Sequence, residues 1–357
     1  MPTTTVHPNR YTSALVPYHI GKLPIEMLEQ VFIECARDTI YPSNIEMLTV
    51  GDYNTAPDWI NITYVCRLWR RISLVCPYLW THITTNLSHR WVLEFLKRSR
   101  KHPLVLELST FHSTFRDIKL VLYAHAFRVR QLYLGDVVVS NPVMLSELGS
   151  GLTVSAPLLE DLVLEVGQCE VQDDLFSGYA PRLHRLGLGD AMTISIDSPL
   201  LGHLRELEVR ETYDADGLLK LLQNTPLLES LKVSDLVPGR QYSGVDVHLP
   251  HLSALCIRLY DYRSFLSFFE RLRIPPTVHF QIILCILRVS STEEEYCAVL
   301  DVIADRVRGI SKSIGPLCAS LEIEPEKDWC IAWYPIRQTL DDPAVDRTPR
   351  RALREYE

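Results

Sequence analysis

Pro157-Leu158-Leu159-Glu160-Asp161-Leu162-Val163-Leu164 is the stretch whose reading decides the fold. Its pattern, Leu-x-x-Leu-x-Leu with apolar substitution, returns as Leu183-x-x-Leu186-x-Leu188, Leu204-x-x-Leu207-x-Val209, Leu228-x-x-Leu231-x-Val233 and Leu252-x-x-Leu255-x-Ile257. The starts at 159, 183, 204, 228 and 252 are 24, 21, 24 and 24 residues apart. Alternate side chains of a strand point to one face, so the Leu-x-Leu pair supplies two core residues, and the leading leucine packs where the chain turns into the strand. A unit this short cannot bury its apolar face alone, but stacked units share one continuous core. Working outward, Val129-x-x-Leu132-x-Leu134 is a looser copy and Leu104–Leu108 its predecessor. Asp216–Asn224 and Tyr262–Arg273 read as helical or irregular return arms. Pro157, Pro181, Pro226 and Pro250 each stand two residues before a leading leucine, and Pro199 marks the shorter unit. Proline ends a return arm and favours extended backbone entering a strand.

The period lies in the range of leucine-rich repeats, about 20–29 residues. These copies lack the asparagine position of the commonest subclass and are similar to degenerate leucine-rich repeats. In a stack of this kind the residues between and just after the Leu-x-Leu pair face the concave surface. One row is Val163, Gly187, Glu208, Lys232 and Cys256, and the next is Glu165, Gly189, Arg210, Ser234 and Arg258. The rows mix both charge signs with small residues, which suits a protein ligand better than a polyanion. The candidate substrate-binding residues are Glu165, Glu208, Arg210, Lys232 and Arg258. After Pro275-Pro276 the cadence loosens: Val278–Val289, Ala319–Ile323 and Cys330–Tyr334 read as strands, and Glu293–Arg308 as a helix, together a terminal α+β cap.

The N-terminal part has a different period. After Leu23-Pro24, the residues Ile25, Leu28, Val31, Phe32 and Cys35 recur at helical spacing, with Glu26, Glu29, Gln30 and Glu34 on the other side. A polar stretch, Arg37–Pro57, reads as an inserted loop. Asp58 then caps a second helix whose stripe is Trp59, Ile62, Val65, Cys66, Trp69 and Ile72, with Arg67, Arg70 and Arg71 opposite. Pro77 ends it, and Tyr78-Leu79-Trp80 forms a short apolar knuckle.

Leu23-Pro24-Ile25-Glu26-Met27-Leu28, Val65-Cys66-Arg67-Leu68-Trp69-Arg70-Arg71-Ile72-Ser73 and Pro77-Tyr78-Leu79-Trp80, in that order, resemble an F-box of the variant expanded in mushroom-forming fungi. The resemblance covers about Ile20 to Ile83, and the long insert at 37–57 departs from a compact F-box. It implies a three-helix module that docks onto a Skp-type adaptor and through it a cullin ubiquitin ligase. The adaptor face it implies is Leu23, Pro24, Ile25, Leu28, Val31, Phe32, Val65, Cys66, Arg67 and Trp69. The alternative is that the stripe only packs on the repeat domain C-terminal to it.

The expected layout is a flexible start at 1–19, an F-box-like domain at 20–86, a repeat body at 87–275, a cap at 276–337 and a charged tail at 338–357. The fold class is α/β: a helical module, a leucine-rich-repeat solenoid of parallel strands, and the cap. The composition agrees with globular structure: 47% hydrophobic and 22% charged residues, with 36 Lys+Arg against 44 Asp+Glu and a formal net charge of −8. That balance argues against a nucleic-acid partner. Fifteen glycines stand against 22 prolines, and neither a phosphate-cradling Gly-x-x-x-x-Gly-Lys-Ser/Thr loop nor a Gly-x-Ser-x-Gly elbow occurs. Nine cysteines without a Cys-x-x-Cys pair read as free thiols of a reducing compartment. The longest apolar run, near Phe280–Leu287, is far short of a membrane span. His248, His251 and Cys256 do not converge as metal ligands because Pro250 interrupts them, and Asp173-Asp174 and Asp341-Asp342 alternate in direction. The expectation is a non-catalytic adaptor with no cofactor and no metal, cytoplasmic or nuclear, binding an unidentified protein substrate.

Overall fold

The computed structural model describes residues 23–40, 58–84, 87–109, 115–135, 152–165, 169–171, 175–190, 192–210, 213–234, 236, 246–259, 268–275, 278–285, 317–323 and 328–335. They divide into two compact units. The described residues up to Thr81 form one together with Leu87–Arg100, and His82–Thr84 joins the residues from Lys101 onward in the other. The boundary read from the sequence between helical module and repeat body, one cut at 86, therefore differs from the observed division: a short strand leaves the helical unit early and a further helix returns to it.

The helical unit begins with α1, Ile25–Ile40, whose first turn closes when Leu28 N–H donates to the Pro24 carbonyl at 3.1 Å. Helix continues to Ile40, where the sequence predicts a loop from Arg37. Residues 41–57 lie outside the described residues. Leu28, Phe32 and Ala36, four residues apart, are the buried row of α1. The helix expected from Asp58 onward is broken. A 3-10 turn at Asp58–Asn61 leads to α2, Ile62–Val65, then Cys66 turns extended (φ −158°, ψ 171°) and α3 runs Arg67–Val75. Cys66 is the N-cap of α3, its thiol accepting from Trp69 N–H at 3.5 Å. The break resets the helical phase, so the stripe does not stay on one face: Trp59 and Ile72 are buried, while Val65 and Cys66 are exposed.

A 3-10 turn at Pro77–Trp80 and α4, His89–Arg98, complete this unit. Its core is aromatic. Trp80 packs edge-on against Trp59 at 5.1 Å and against Phe95 at 4.9 Å, and Phe32 tilts over Trp69 at 4.9 Å. The Trp80 indole N–H donates to the Ser73 carbonyl at 2.9 Å, and the Arg98 guanidinium lies 4.6 Å from the Trp80 ring centroid. Helix α4 escapes the sequence reading, although Ser88 before it and Lys97-Arg98 at its end are ordinary boundary residues.

The second unit is α/β and carries one large open sheet of 11 strands. Nine run parallel, in spatial order: β1 His82–Thr84, β2 Leu104–Ser109, β3 Val129–Gly135, β4 Asp161–Leu164, β6 Arg185–Leu188, β8 Glu206–Arg210, β9 Ser230–Ser234, β11 Ala254–Leu259 and β13 His279–Cys285. β15, Asp328–Pro335, and β14, Leu317–Ile323, close it in antiparallel fashion. The intervening numbers belong to two small parallel pairs on the return arms: β5 Cys169–Val171 with β7 Met192–Ile194, and β10 Val247–His248 with β12 Leu272–Arg273. Among the described residues of this unit, helix forms α5 at Phe115–His125 and α6 at Ala215–Gln223, the latter capped by Asp214 as its Oδ1 accepts from Gly217 N–H at 2.7 Å, and residues 268–271 are also helical. The expected helix Glu293–Arg308 and the tail 338–357 lie outside the described residues.

The register explains the repeat. Ile83, Leu106, Leu132, Leu162, Leu186, Leu207, Leu231 and Leu255 oppose one another in turn across the parallel strands, and Leu108, Leu134, Leu164, Leu188, Val209, Val233 and Ile257 form a second row. All of them are buried. A one-residue slip in any strand would turn its whole set to water, so the leucines fix the register. The prolines act just upstream. Leu159, Leu183, Leu228 and Leu252 each donate their N–H to the carbonyl three residues back, at 3.0 to 3.3 Å, across a turn whose second residue is proline. That is the position for which the fixed φ of proline is already set. Leu201 does the same to Ser198 across Pro199. A backbone ladder then carries each unit to the next, from Glu160 through His184, Arg205, Glu229 and Ser253 to His279.

Candidate functional site

The side chains that alternate with the leucines form the solvent face of the sheet. Glu165 follows β4, Gly189 follows β6 and Arg210 ends β8, in one row. Arg210 reaches across the glycine strand and its Nη1 lies 3.0 Å from Glu165 Oε1. Its Nη2 lies 3.1 Å from Glu208 Oε1, and the same oxygen is 3.1 Å from Lys232 Nζ. At the other end the Tyr133 hydroxyl donates to Glu165 Oε2 at 2.6 Å. The result is a continuous chain from Tyr133 through Glu165, Arg210 and Glu208 to Lys232, spanning five strands from β3 to β9.

Glycine makes this crossing possible. A Cβ at Gly189 would lie 2.9 Å from the Glu165 Cα, and one at Gly187 would lie 3.2 Å from both Val163 methyls. Neighbouring side chains lean over β6, so Gly187 and Gly189, expected to face solvent, are covered instead. Burial works to raise the Glu208 carboxyl, but Lys232 and Arg210 outweigh it and hold the group below its ordinary value. Burial likewise works to lower Arg210, and Glu165, Glu208 and Asp190 outweigh it and raise its pKa.

The structure thus brings together four of the five residues named for this face, Glu165, Glu208, Arg210 and Lys232. Arg258 lies in the same row on β11 but outside that chain of contacts. Tyr133 is the member the sequence reading missed. Its place in the looser repeat, between Leu132 and Leu134, was the available indication. The charges are mutually satisfied, so the centre of this face is a neutral, hydrogen-bonded floor. A ligand there meets shape and polar atoms, not a net field.

In the helical unit the ten residues named as an adaptor face separate into two groups. Leu28 and Phe32 are fully buried and Val31 and Trp69 half-buried. Leu23, Pro24, Ile25, Val65, Cys66 and Arg67 are exposed. Met27, Tyr64 and Leu68, not named in that set, are exposed as well, Tyr64 at 70% and Val65 at 60%. The helical period found Leu28 and Phe32 of the buried row, but it also took in Ile25 and Cys35, which are exposed, and left out Ala36, which is buried. It could not separate residues that hold the unit together from residues left at its surface, because the phase changes at Cys66.

Among the described residues no group of three or more His, Cys, Asp and Glu side chains gathers in a way that could hold a metal ion. No helix among them is long and apolar enough to cross a membrane. Asp173-Asp174 and Asp341-Asp342 lie outside the described residues. His248 and His251 are exposed. No protein-family profile matches this sequence, and no curated protein matches it.

Proposed function

We propose that the chain is a non-catalytic recognition subunit of a Skp/cullin/F-box-type ubiquitin ligase. In this reading the helical unit is the F-box-like module that binds the Skp-type adaptor, and the parallel sheet is a leucine-rich-repeat solenoid whose solvent face binds a protein substrate. The subunit contributes proximity: it holds a target near the ubiquitin-carrying enzyme and supplies no reacting group. The observation that carries the reading is the construction itself, a small helical unit bearing the three resemblance blocks, followed by a register-locked leucine ladder. Leu23, Ile25, Met27, Tyr64 and Val65 support it, because a unit of this size leaves such apolar residues in water only at some cost.

Co-purification with a Skp-type adaptor tests it. Wild-type protein binds, and Ile25→Asp/Val65→Asp, which changes exposed side chains and leaves the aromatic core alone, does not. Absence of binding by folded wild type refutes it. Leu28 is unsuitable for this purpose, since a charge there would unfold the unit and mimic loss of docking. A second reading has the helical unit capping the repeats without binding a ligase. It is favoured only in that Leu28 and Phe32, two of the ten residues named as the adaptor face, are buried and not offered to a partner. It predicts no adaptor binding and strong destabilisation of the repeats on deletion of 23–83.

A further inference from the structure

We propose that the outer half of α3 is a docking strip for an acidic, amphipathic helical segment of a partner protein. At about 100° per residue, Arg67 and Arg71 are neighbours on one arc, Arg70 lies at its edge beyond the half-buried Leu74, and Val75 and Leu68 follow on the other side. All five are exposed. Ile72 and Ser73 are buried on the opposite arc. None of the three guanidinium groups has an ion-pair or hydrogen-bond partner among the described residues. Elsewhere six arginines, Arg98, Arg130, Arg185, Arg205, Arg210 and Arg273, each lie within 4 Å of a carboxylate. In a chain with 44 acidic and 36 basic residues, three unpaired arginines on one helix are a local excess of the minority charge.

That excess works against α3 itself. The helix has no acidic residue in its first turn. Arg67 and Arg71, four residues apart, repel each other, and Arg67 and Arg70, in the first turn, face the positive end of the helix dipole. An external row of carboxylates relieves both repulsions. Glutamates spaced three and four apart on a partner helix match the arginine spacing, and its aliphatic side chains match Leu68 and Val75. A nucleic acid fits less well: three arginines beside an apolar edge, on a chain of net charge −8, make fewer phosphate contacts than duplex binding uses, about 6–10. The inference rests on the adaptor reading only in taking this unit as a docking module, and names the chemistry of what docks.

The experiment is fluorescence anisotropy on the full chain. The probe is a labelled 18-residue helical peptide with glutamates at i, i+3 and i+4 beside a leucine row. A sequence-scrambled peptide and an 18-base-pair DNA duplex serve as competitors. Wild-type protein binds the ordered peptide, more weakly as salt rises. Arg67→Glu/Arg70→Glu/Arg71→Glu loses at least about tenfold in affinity while keeping its far-ultraviolet spectrum and a melting temperature no lower than that of wild type. Arg67→Gln/Arg71→Gln, which removes repulsion without adding charge, loses less and guards against a folding artefact. Leu68→Ser, which removes apolar area without adding charge, weakens binding at high and low salt alike. Equal binding by the reversed variant, by the scrambled peptide or by the duplex overturns the strip. Adaptor co-purification is scored separately: peptide binding without adaptor binding sinks the ligase reading alone, and adaptor binding without peptide binding sinks the strip alone.

Discussion

Glu208 shows how one carboxylate is governed by its neighbours across strands. Its folded pKa lies below the ordinary value of 4.5. Its contribution to stability is therefore complete above that value and is lost as pH falls through the depressed one. Glu208→Gln costs about 0.5–1 kcal/mol at pH 7, after allowance for partial exposure. Urea unfolding at pH 7 and pH 3 checks this: the gap between variant and wild type is smaller at pH 3 than at pH 7, and an equal gap at both would contradict the assignment. Gly189 acts sterically. Gly189→Ala pushes the Glu165 backbone, costs about 1–3 kcal/mol, and separates Glu165 from Arg210. The same two variants combined cost less than their sum, since both act on the Arg210 pairings.

Among the elements, the broken second helix is the informative case. The stripe from Trp59 to Ile72 reads as one helix because apolar residues at spacings of three and four carry the same pattern whether or not the chain pauses. Cys66 interrupts it, and its thiol replaces the missing intrahelical partner at the start of α3. Cys66→Ser, with a better acceptor, keeps or raises the melting temperature of the helical unit. Cys66→Val, with none, lowers its stability by about 0.5–2 kcal/mol, as thermal circular dichroism at helical wavelengths will show. The strands behave differently. Their boundaries were legible because proline turns start them and leucines fill them, and α4 was missed because its aromatic residues serve a cluster assembled from distant segments, Trp59, Trp80 and Phe95.

Across the whole molecule, the buried rows connect each strand only to its two neighbours, so coupling within the sheet is nearest-neighbour. Leu231→Ala removes packing from the middle of the ladder and costs about 2–5 kcal/mol. Paired with Leu207→Ala, which opposes it directly, the losses are non-additive by about 0.5 kcal/mol or more. Paired with Leu106→Ala, five pairings away, they add. Double-mutant cycles measured by denaturant unfolding decide this, and equal coupling for both pairs would count against a one-dimensional ladder.

By itself the sequence determined the α/β class, the parallel ladder and its register, because a short-range repeat of leucine and proline dictates the same local choice in every unit. Only the tertiary structure decided which residues act on the outside. The Glu165–Arg210 pair joins residues 45 positions apart across a covered glycine. The exposure of Val65 and Leu68 depends on a break that no periodicity records. The arginine strip is visible in the letters as three basic residues, but its lack of partners is a property of space. Contacts between distant segments are set by packing, and packing is solved by the whole unit at once.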